Sequence, residues 1–404
     1  MEKVFIVAAK RTAIGSFGGA LKNVTAGNLA AVAIKAVLED SKVDGQWVDE
    51  VIVGNVIGAG QGMSVGRQAA LFAGIPETTP AYTLNMVCGS GMKTVMDAVS
   101  HIRSGDGDII VAAGVEVMSQ IPFAVPSQVR DGHKMGNMAL TDLLINDGLT
   151  DVFNQYHMGV TAENVAKEVG ITREQQDQYA LGSQMKAVSA IEGGRFTAEI
   201  TPVEVKTRRE TWQFDTDEYP KATATLESLE KLRPAFDREG SVTAGNASGL
   251  NDGASAIIVA SETAVKKYNL TPIAEIVSHA QAGIDPKIMG LGPVPAVTKA
   301  LSKAQLTVSD IDCYELNEAF AAQALGVIHR LAEDHNVPVN SILDKANPNG
   351  GAIALGHPLG ASGNRILVSL VHELNRSGGQ YGVASLCVGG GMGTAVIVKS
   401  IKWN

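Results

Sequence analysis

Asp108-Ile109-Ile110-Val111-Ala112-Ala113-Gly114 carries one charge and then an unbroken apolar run, which predicts a strand buried on both faces. Just upstream, Val95, Met96, Val99 and Ile102 recur at helical spacing. That helix is preceded by a glycine-rich turn, Asn85-Met86-Val87-Cys88-Gly89-Ser90-Gly91-Met92. Further out, residues 3–9 and Val51 to Val56 are apolar strands, with a helical pattern near 26–40 between them. Strands alternating with helices predict an α/β protein with a largely parallel sheet.

Residues 119 to about 248 break this rhythm. They are rich in Met, Gln, Asn and charge, and predict a long loop insertion with short helical patches. The rhythm returns at Asp252-Gly253-Ala254-Ser255-Ala256-Ile257-Ile258-Val259 and then repeats. Ile273 to Val277, Ile311 to Leu316 and Tyr381 to Val388 are strands; 294–304 and 361–374 are helical. Ala33-Ile34-Lys35-Ala36-Val37-Leu38 is similar to Val297-Thr298-Lys299-Ala300-Leu301, and each precedes an acidic turn and a strand. The expectation is an internal duplication, with an N-terminal half at 1–270 and a C-terminal half at 271–404.

A chain of 404 residues is too long for one ordinary core, which agrees with two halves. The formal charge of −9 argues against a general nucleic-acid surface, so a polyanion must meet a local basic patch. Three cysteines suggest no disulfide framework. The chain enters a strand at once and has no apolar run of membrane-spanning length. A cytoplasmic enzyme of small molecules is expected, with no nucleic-acid or membrane partner.

Two of the three cysteines stand at glycine-rich turns. The second reads Leu386-Cys387-Val388-Gly389-Gly390-Gly391-Met392-Gly393, between two apolar runs. At a helix N-terminus the dipole and free N–H groups favour a thiolate, and those N–H groups can also hold an oxyanion. The plainer reading of Cys387 is a small apolar core residue. Cys313 is read as packing. A cysteine nucleophile needs a base, and among eight histidines His357 stands out in Gly356-His357-Pro358-Leu359-Gly360-Ala361-Ser362-Gly363. Asn317, in Asn317-Glu318-Ala319-Phe320, is read two ways: as a helix N-cap, or as the holder of a water that polarises a carbonyl.

These four blocks, in this order, resemble the thiolase family, in its short-chain biosynthetic branch. The likeness extends through Arg11-Thr12-Ala13-Ile14-Gly15 and Val242-Thr243-Ala244-Gly245-Asn246-Ala247-Ser248-Gly249 and covers essentially the whole chain. It implies the thiolase fold: two similar βαβαβαββ halves packed as a layered αβαβα sandwich. It implies reversible condensation of two acetyl-CoA to acetoacetyl-CoA and CoA, with coenzyme A as substrate and no metal or resident cofactor. Cys88 would take the acetyl group, His357 its proton, and Cys387 a proton from the second acetyl-CoA. The enolate oxygen would meet His357 and a water on Asn317. The tetrahedral oxygen would meet the backbone N–H groups of Cys88 and Gly389, and on this reading a side chain in the glycine run 389–391 would block that approach.

The same resemblance places Ser248 along the pantetheine channel and His157, Met158, Phe236, Met289 and Phe320 around the acyl end. Tyr156-His157-Met158-Gly159 implies a pocket closed around a small acyl group. Arg208, Arg209 and Lys221 are candidates for the CoA phosphates, and solvated surface is their commoner role. Pro126-Ser127-Gln128-Val129-Arg130 resembles the family's tetramerisation loop, implying a homotetramer of two dimers. Residues 329–345 form a longer stretch than the family pattern, and the tail Ile401-Lys402-Trp403-Asn404 has no counterpart in it. Rival readings are a broad-range 3-ketoacyl-CoA thiolase, a decarboxylating condensing enzyme, which Cys387 opposes, and a non-catalytic acyl-CoA carrier.

Overall fold

The computed structural model describes residues 2–401; Lys402-Trp403-Asn404 of the tail lie outside the described residues. The first half runs β1 (Val4–Thr12), α1 (Ala26–Ser41), β2 (Glu50–Gly54), α2 (Val65–Phe72), β3 (Ala81–Leu84), α3 (Ser90–Ser104) and β4 (Ile109–Val117). The insertion follows, with α4 (Met158–Val169) and α5 (Arg173–Glu192), and the chain re-enters the sheet as β5 (Asn251–Ser261). The second half runs β6 (Ala274–Gly283), α6 (Pro293–Ala304), β7 (Cys313–Leu316), α7 (Ala321–Asp334), α8 (Leu359–Ser377), β8 (Tyr381–Val388) and β9 (Met392–Ser400).

Strand order in the first half is β3-β2-β4-β5-β1, and in the second β7-β8-β9-β6. A parallel bridge from Tyr314 to Ala346 stands where β3 would pair, so the two halves match position by position. They meet through a short antiparallel contact, Phe5 opposite Glu275 and Ile6 opposite Ala274. Only β2–β3, β2–β4 and β7–β8 pair in parallel among these strands. The largely parallel sheet expected from the helix–strand rhythm is therefore corrected to a mixed one. The cause is local for β8 and β9: the connection through Gly389, Gly390 and Gly391 is too short for a crossover, so the strands return antiparallel.

Apolar residues of α3 and α8 share one core with inward-facing Ile6, Ile52, Ile110, Ile257, Ile276, Leu386 and Val396. The outer face of the first half buries α1 and α2; that of the second buries α6 and α7. Helix, sheet, helix pair, sheet and helix thus form five layers, with α3 and α8 at the centre. Their N-terminal turns cross at glycines. A Cβ on Gly91 would lie 2.7 Å from the Gly360 carbonyl oxygen and 2.8 Å from the Asn364 nitrogen. Backbone cannot yield as a side chain can, so Gly91→Ala is expected to cost about 1–3 kcal/mol, seen as a lowered Tm.

The insertion holds more helix than the short patches expected. Helix α5 is 20 residues long and starts in a Thr172–Gln175 capping box. Its buried face is Gln176, Asp177, Ala180, Ser183, Gln184, Ala187 and Ala190, small or polar, so no apolar period marks it. Arg11, fully buried on β1, ties the insertion down by ion pairs to Glu199 at 2.6 Å and Asp217 at 2.8 Å. The longer 329–345 stretch is the end of α7 plus a short turn of helix at Asn340–Leu343.

Candidate active site

Cys88 sits two residues before the first helical residue of α3, in a turn the sequence braces at several points. Val87, a β-branched residue, is held at φ 47°, a strained left-handed conformation. Asn85 Oδ1 accepts the Val87 N–H at 2.8 Å. The Ser90 hydroxyl accepts the Met86 N–H at 2.8 Å and donates to the Val87 carbonyl at 2.6 Å. Such bracing fixes the thiol at the mouth of the helix, 8% exposed.

Cys387 comes from the other half, as the next-to-last residue of β8, and is fully buried. Its setting is a strand end and not a helix N-terminus. The two turns touch: Cβ atoms built on Gly389 and Gly89 would lie 3.3 Å from Val87 Cγ1 and 2.9 Å from Val388 Cγ2. The Gly389 backbone N–H draws the Cys88 thiol down, while burial first and then charge on Cys88 raise the Cys387 thiol. Glycine is most strictly required at Gly391 (φ 88°), whose Cβ would lie 2.3 Å from the Ile284 carbonyl oxygen. At Gly389 a Cβ would meet the Val87 and Met158 side chains, at 3.3 and 3.8 Å.

His357 precedes α8. Asn251 Oδ1 accepts its backbone N–H at 3.0 Å, and Nδ1 lies 2.6 Å from Ser362 Oγ. Its Nε2 is buried with no hydrogen-bond partner in the protein. Asn317 follows β7 and donates its backbone N–H to the Ser385 carbonyl at 3.0 Å, two residues before Cys387. Both polar atoms of its side chain are buried and unpartnered. It caps nothing, since α7 begins at Ala321 with Phe320 in the capping position. The N-cap reading is thereby excluded.

Cys387 shares an apolar cluster with Met158, Met289, Ala247, Ala319 and Phe320, and Phe236 packs against it. His157 stacks on Phe236 at 4.5 Å, and Phe236 meets Phe320 edge-on at 6.0 Å. The 241–249 loop reaches this cluster because Glu163 accepts the Ser241 and Val242 N–H groups and Asn246 donates to Asp177. Ser248, half-buried, then donates its N–H to the Ala319 carbonyl at 2.9 Å. Arg208 and Lys221 are exposed side chains of the insertion, outside this buried set.

Burial decides the protonation states. It pushes the Cys88 thiol up to about 11, against the pull of the Gly389 and Cys88 N–H groups. It raises Cys387 further and lowers His357 to about 4, where Arg365 adds to the effect. The thiolate expected at a helix N-terminus is therefore not the resting form; desolvation outweighs the dipole. Cys88 is thus held mainly as the thiol at neutral pH. Alkylation of Cys88 by iodoacetamide should keep rising about tenfold per pH unit beyond 8.5, where an ordinary cysteine levels off. Peptide mass mapping across pH 7–10 checks this.

Two family models match the sequence, "Thiolase, N-terminal domain" over residues 4–263 and "Thiolase, C-terminal domain" over 270–400. The chain belongs to the thiolase family. Among its relatives, the acetyl-CoA acetyltransferase of Cupriavidus necator is 54% identical over 400 residues, covering 99% of this chain and 100% of that protein. The Escherichia coli acetyl-CoA acetyltransferase is 51% identical over 402 residues, covering all of both. In solved structures, the acetyl-CoA acetyltransferase of Syntrophomonas wolfei aligns with TM-score 0.96 at 40% identity, covering 99% of this chain and 100% of that one. Human mitochondrial 3-ketoacyl-CoA thiolase aligns with TM-score 0.94 at 47% identity, covering 99% of each. The five layers are thus the thiolase fold.

Several residues of this thiolase site carried no assignment from sequence. Glu116, at the end of β4, is fully buried and accepts N–H groups of Val56, Ile57 and Gly360 at 2.9, 3.1 and 2.8 Å. It clamps the start of α8, and its one signal was an acid inside an apolar strand. Arg365 and Ser362 stand on α8 behind His357; Ser362 was visible in the histidine block but without a role.

Proposed function

We propose that this thiolase is an acetyl-CoA C-acetyltransferase, joining two acetyl-CoA reversibly into acetoacetyl-CoA and CoA. The observation that carries the reading is the meeting of the Cys88 and Cys387 turns, each donated by a different half.

Cys88 attacks the thioester carbon of acetyl-CoA as His357 Nε2 takes its proton. The two steps are coupled, because neither group is charged at rest. CoA leaves with the proton that His357 took, and the acetyl group stays on the Cys88 sulfur. Cys387 gives its own proton to the freed His357, and its thiolate removes a methyl proton from the second acetyl-CoA; the enolate carbon attacks acetyl-Cys88, whose sulfur leaves and takes the proton back from His357. Burial is what makes charge on Cys387 costly, and acylation of Cys88 ensures that no second thiolate stands beside it. In the reverse direction acetoacetyl-CoA is cleaved by CoA.

The enolate oxygen is assigned to His357 and to a water on Asn317, whose unpartnered amide fits that task. The tetrahedral oxygen is assigned to the N–H groups of Cys88 and Gly389. Stacked His157 and Phe236, with Phe320 and the two methionines Met158 and Met289, enclose a short acyl group. Ser248 lines the pantetheine arm, and Arg208 and Lys221 meet the CoA phosphates. A homotetramer formed through the 126–130 loop belongs to the proposal, supported by exposed Phe123, Val125, Met135 and Leu140 around it. So does a cytoplasmic location.

The likeness to human mitochondrial 3-ketoacyl-CoA thiolase keeps a broad-range activity as the second reading. Thiolysis of acetoacetyl-CoA against a long-chain 3-ketoacyl-CoA by purified protein separates the two. Equal or better kcat/KM on the long chain would overturn the short-chain assignment.

A further inference from the structure

On the reading that His357 is the base for Cys88, its Nε2 must carry a lone pair at rest. A neutral imidazole has one ring N–H, so a bare Nε2 requires that hydrogen on Nδ1. Which nitrogen holds it is decided by the partner of Nδ1.

That partner is Ser362, 1% exposed in the first turn of α8, with Oγ at 2.6 Å from Nδ1. The same Oγ lies 2.9 Å from the Pro358 carbonyl, which can only accept. A hydroxyl has one hydrogen to give. Directed to Pro358, it leaves Oγ lone pairs facing Nδ1, which must then donate. Directed to Nδ1, it would force the ring hydrogen onto Nε2 and close the base to the thiol proton. The imidazolium also donates from Nδ1, so the first arrangement serves His357 before and after it takes the proton. The second fits neither state of a working base.

The rest of the block is held so that this contact cannot drift. The His357 N–H is fixed by Asn251 on β5, and the Gly360 N–H by Glu116 on β4. We propose that Ser362 is a positioning residue, which locks His357 as the Nδ1–H tautomer and so keeps Nε2 open to the Cys88 thiol.

The test uses the full chain labelled with ¹⁵N-histidine, with the His357 resonances assigned by difference against His357→Asn. The native enzyme should show a protonated Nδ1 and a pyridine-type Nε2. Ser362→Ala should shift the ring toward Nε2–H and lower kcat for acetoacetyl-CoA thiolysis about 10- to 100-fold, with KM held within about twofold. Ser362→Thr, which restores the hydroxyl, should recover the native tautomer. A native spectrum with the hydrogen on Nε2 overturns the proposal, whatever the variants do. So does a Ser362→Ala enzyme that keeps Nδ1–H, even if its kcat falls. The spectrum does not depend on turnover; failure of the functional reading would show instead as an acetyl-CoA incubation that leaves Cys88 unmodified.

Discussion

Cys88→Ser incubated with acetyl-CoA is expected to keep its starting mass, while the native chain gains one acetyl group. The serine hydroxyl fits the same braced turn, so Val87, Ser90 and Gly389 keep their places. What changes is the nucleophile. An alcohol is far harder to ionise than a thiol, so the base that serves the Cys88 thiol does much less for a serine. A thioester on Cys88 keeps the acetyl carbon electrophilic, whereas an ester on serine would not pass it on readily. Overall turnover should fall about 10⁴-fold or more, as when a covalent nucleophile is removed elsewhere. Acetylation of the variant at a rate near native would assign the nucleophile to another residue.

Cys387→Ala separates the two halves of the reaction. Exchange of acetyl groups between acetyl-CoA and labelled CoA needs only Cys88 and His357, and should stay within about tenfold of native. Condensation and deuterium exchange at the acetyl methyl need the second thiol, and should drop about 10²- to 10⁴-fold, the usual worth of a positioned base. The buried sulfur leaves a small void on truncation, costing about 1 kcal/mol, too little to unfold the chain. Methyl exchange at the native rate would remove Cys387 from the chemistry, and joint loss of both activities would point to damage at the Gly389 turn.

Much of this site was legible before any coordinates, for a physical reason. The Cys88, His357 and Cys387 turns are glycine-rich because backbones pass within contact distance there, and such crowding leaves a mark in composition. Strands and helices with full apolar periods, such as α3 and α8, were equally open to reading. Helix α5 was not, since its buried face is made of Gln, Ser and Ala. The upward push on the thiol was not legible, because sequence displays the helix dipole but hides the depth of burial. Glu116 and Arg365 escaped notice for a related cause: one buried charge has no period, and its partners come from distant parts of the chain. The sheet's mixed direction was overlooked because alternation of element types says nothing about the length of the last connection.

Strand β9 lies inside its sheet, between β8 and β6, yet it is translated after every other strand described. A ribosome-bound chain that has already released the Cys88 segment therefore still lacks the rung that closes the second half. Until residues 392–400 emerge and slot in, β8 lacks its antiparallel partner and the glycine turn between them is anchored on one side. The nascent polypeptide thus completes the two-thiol pocket only once this strand has left the ribosome.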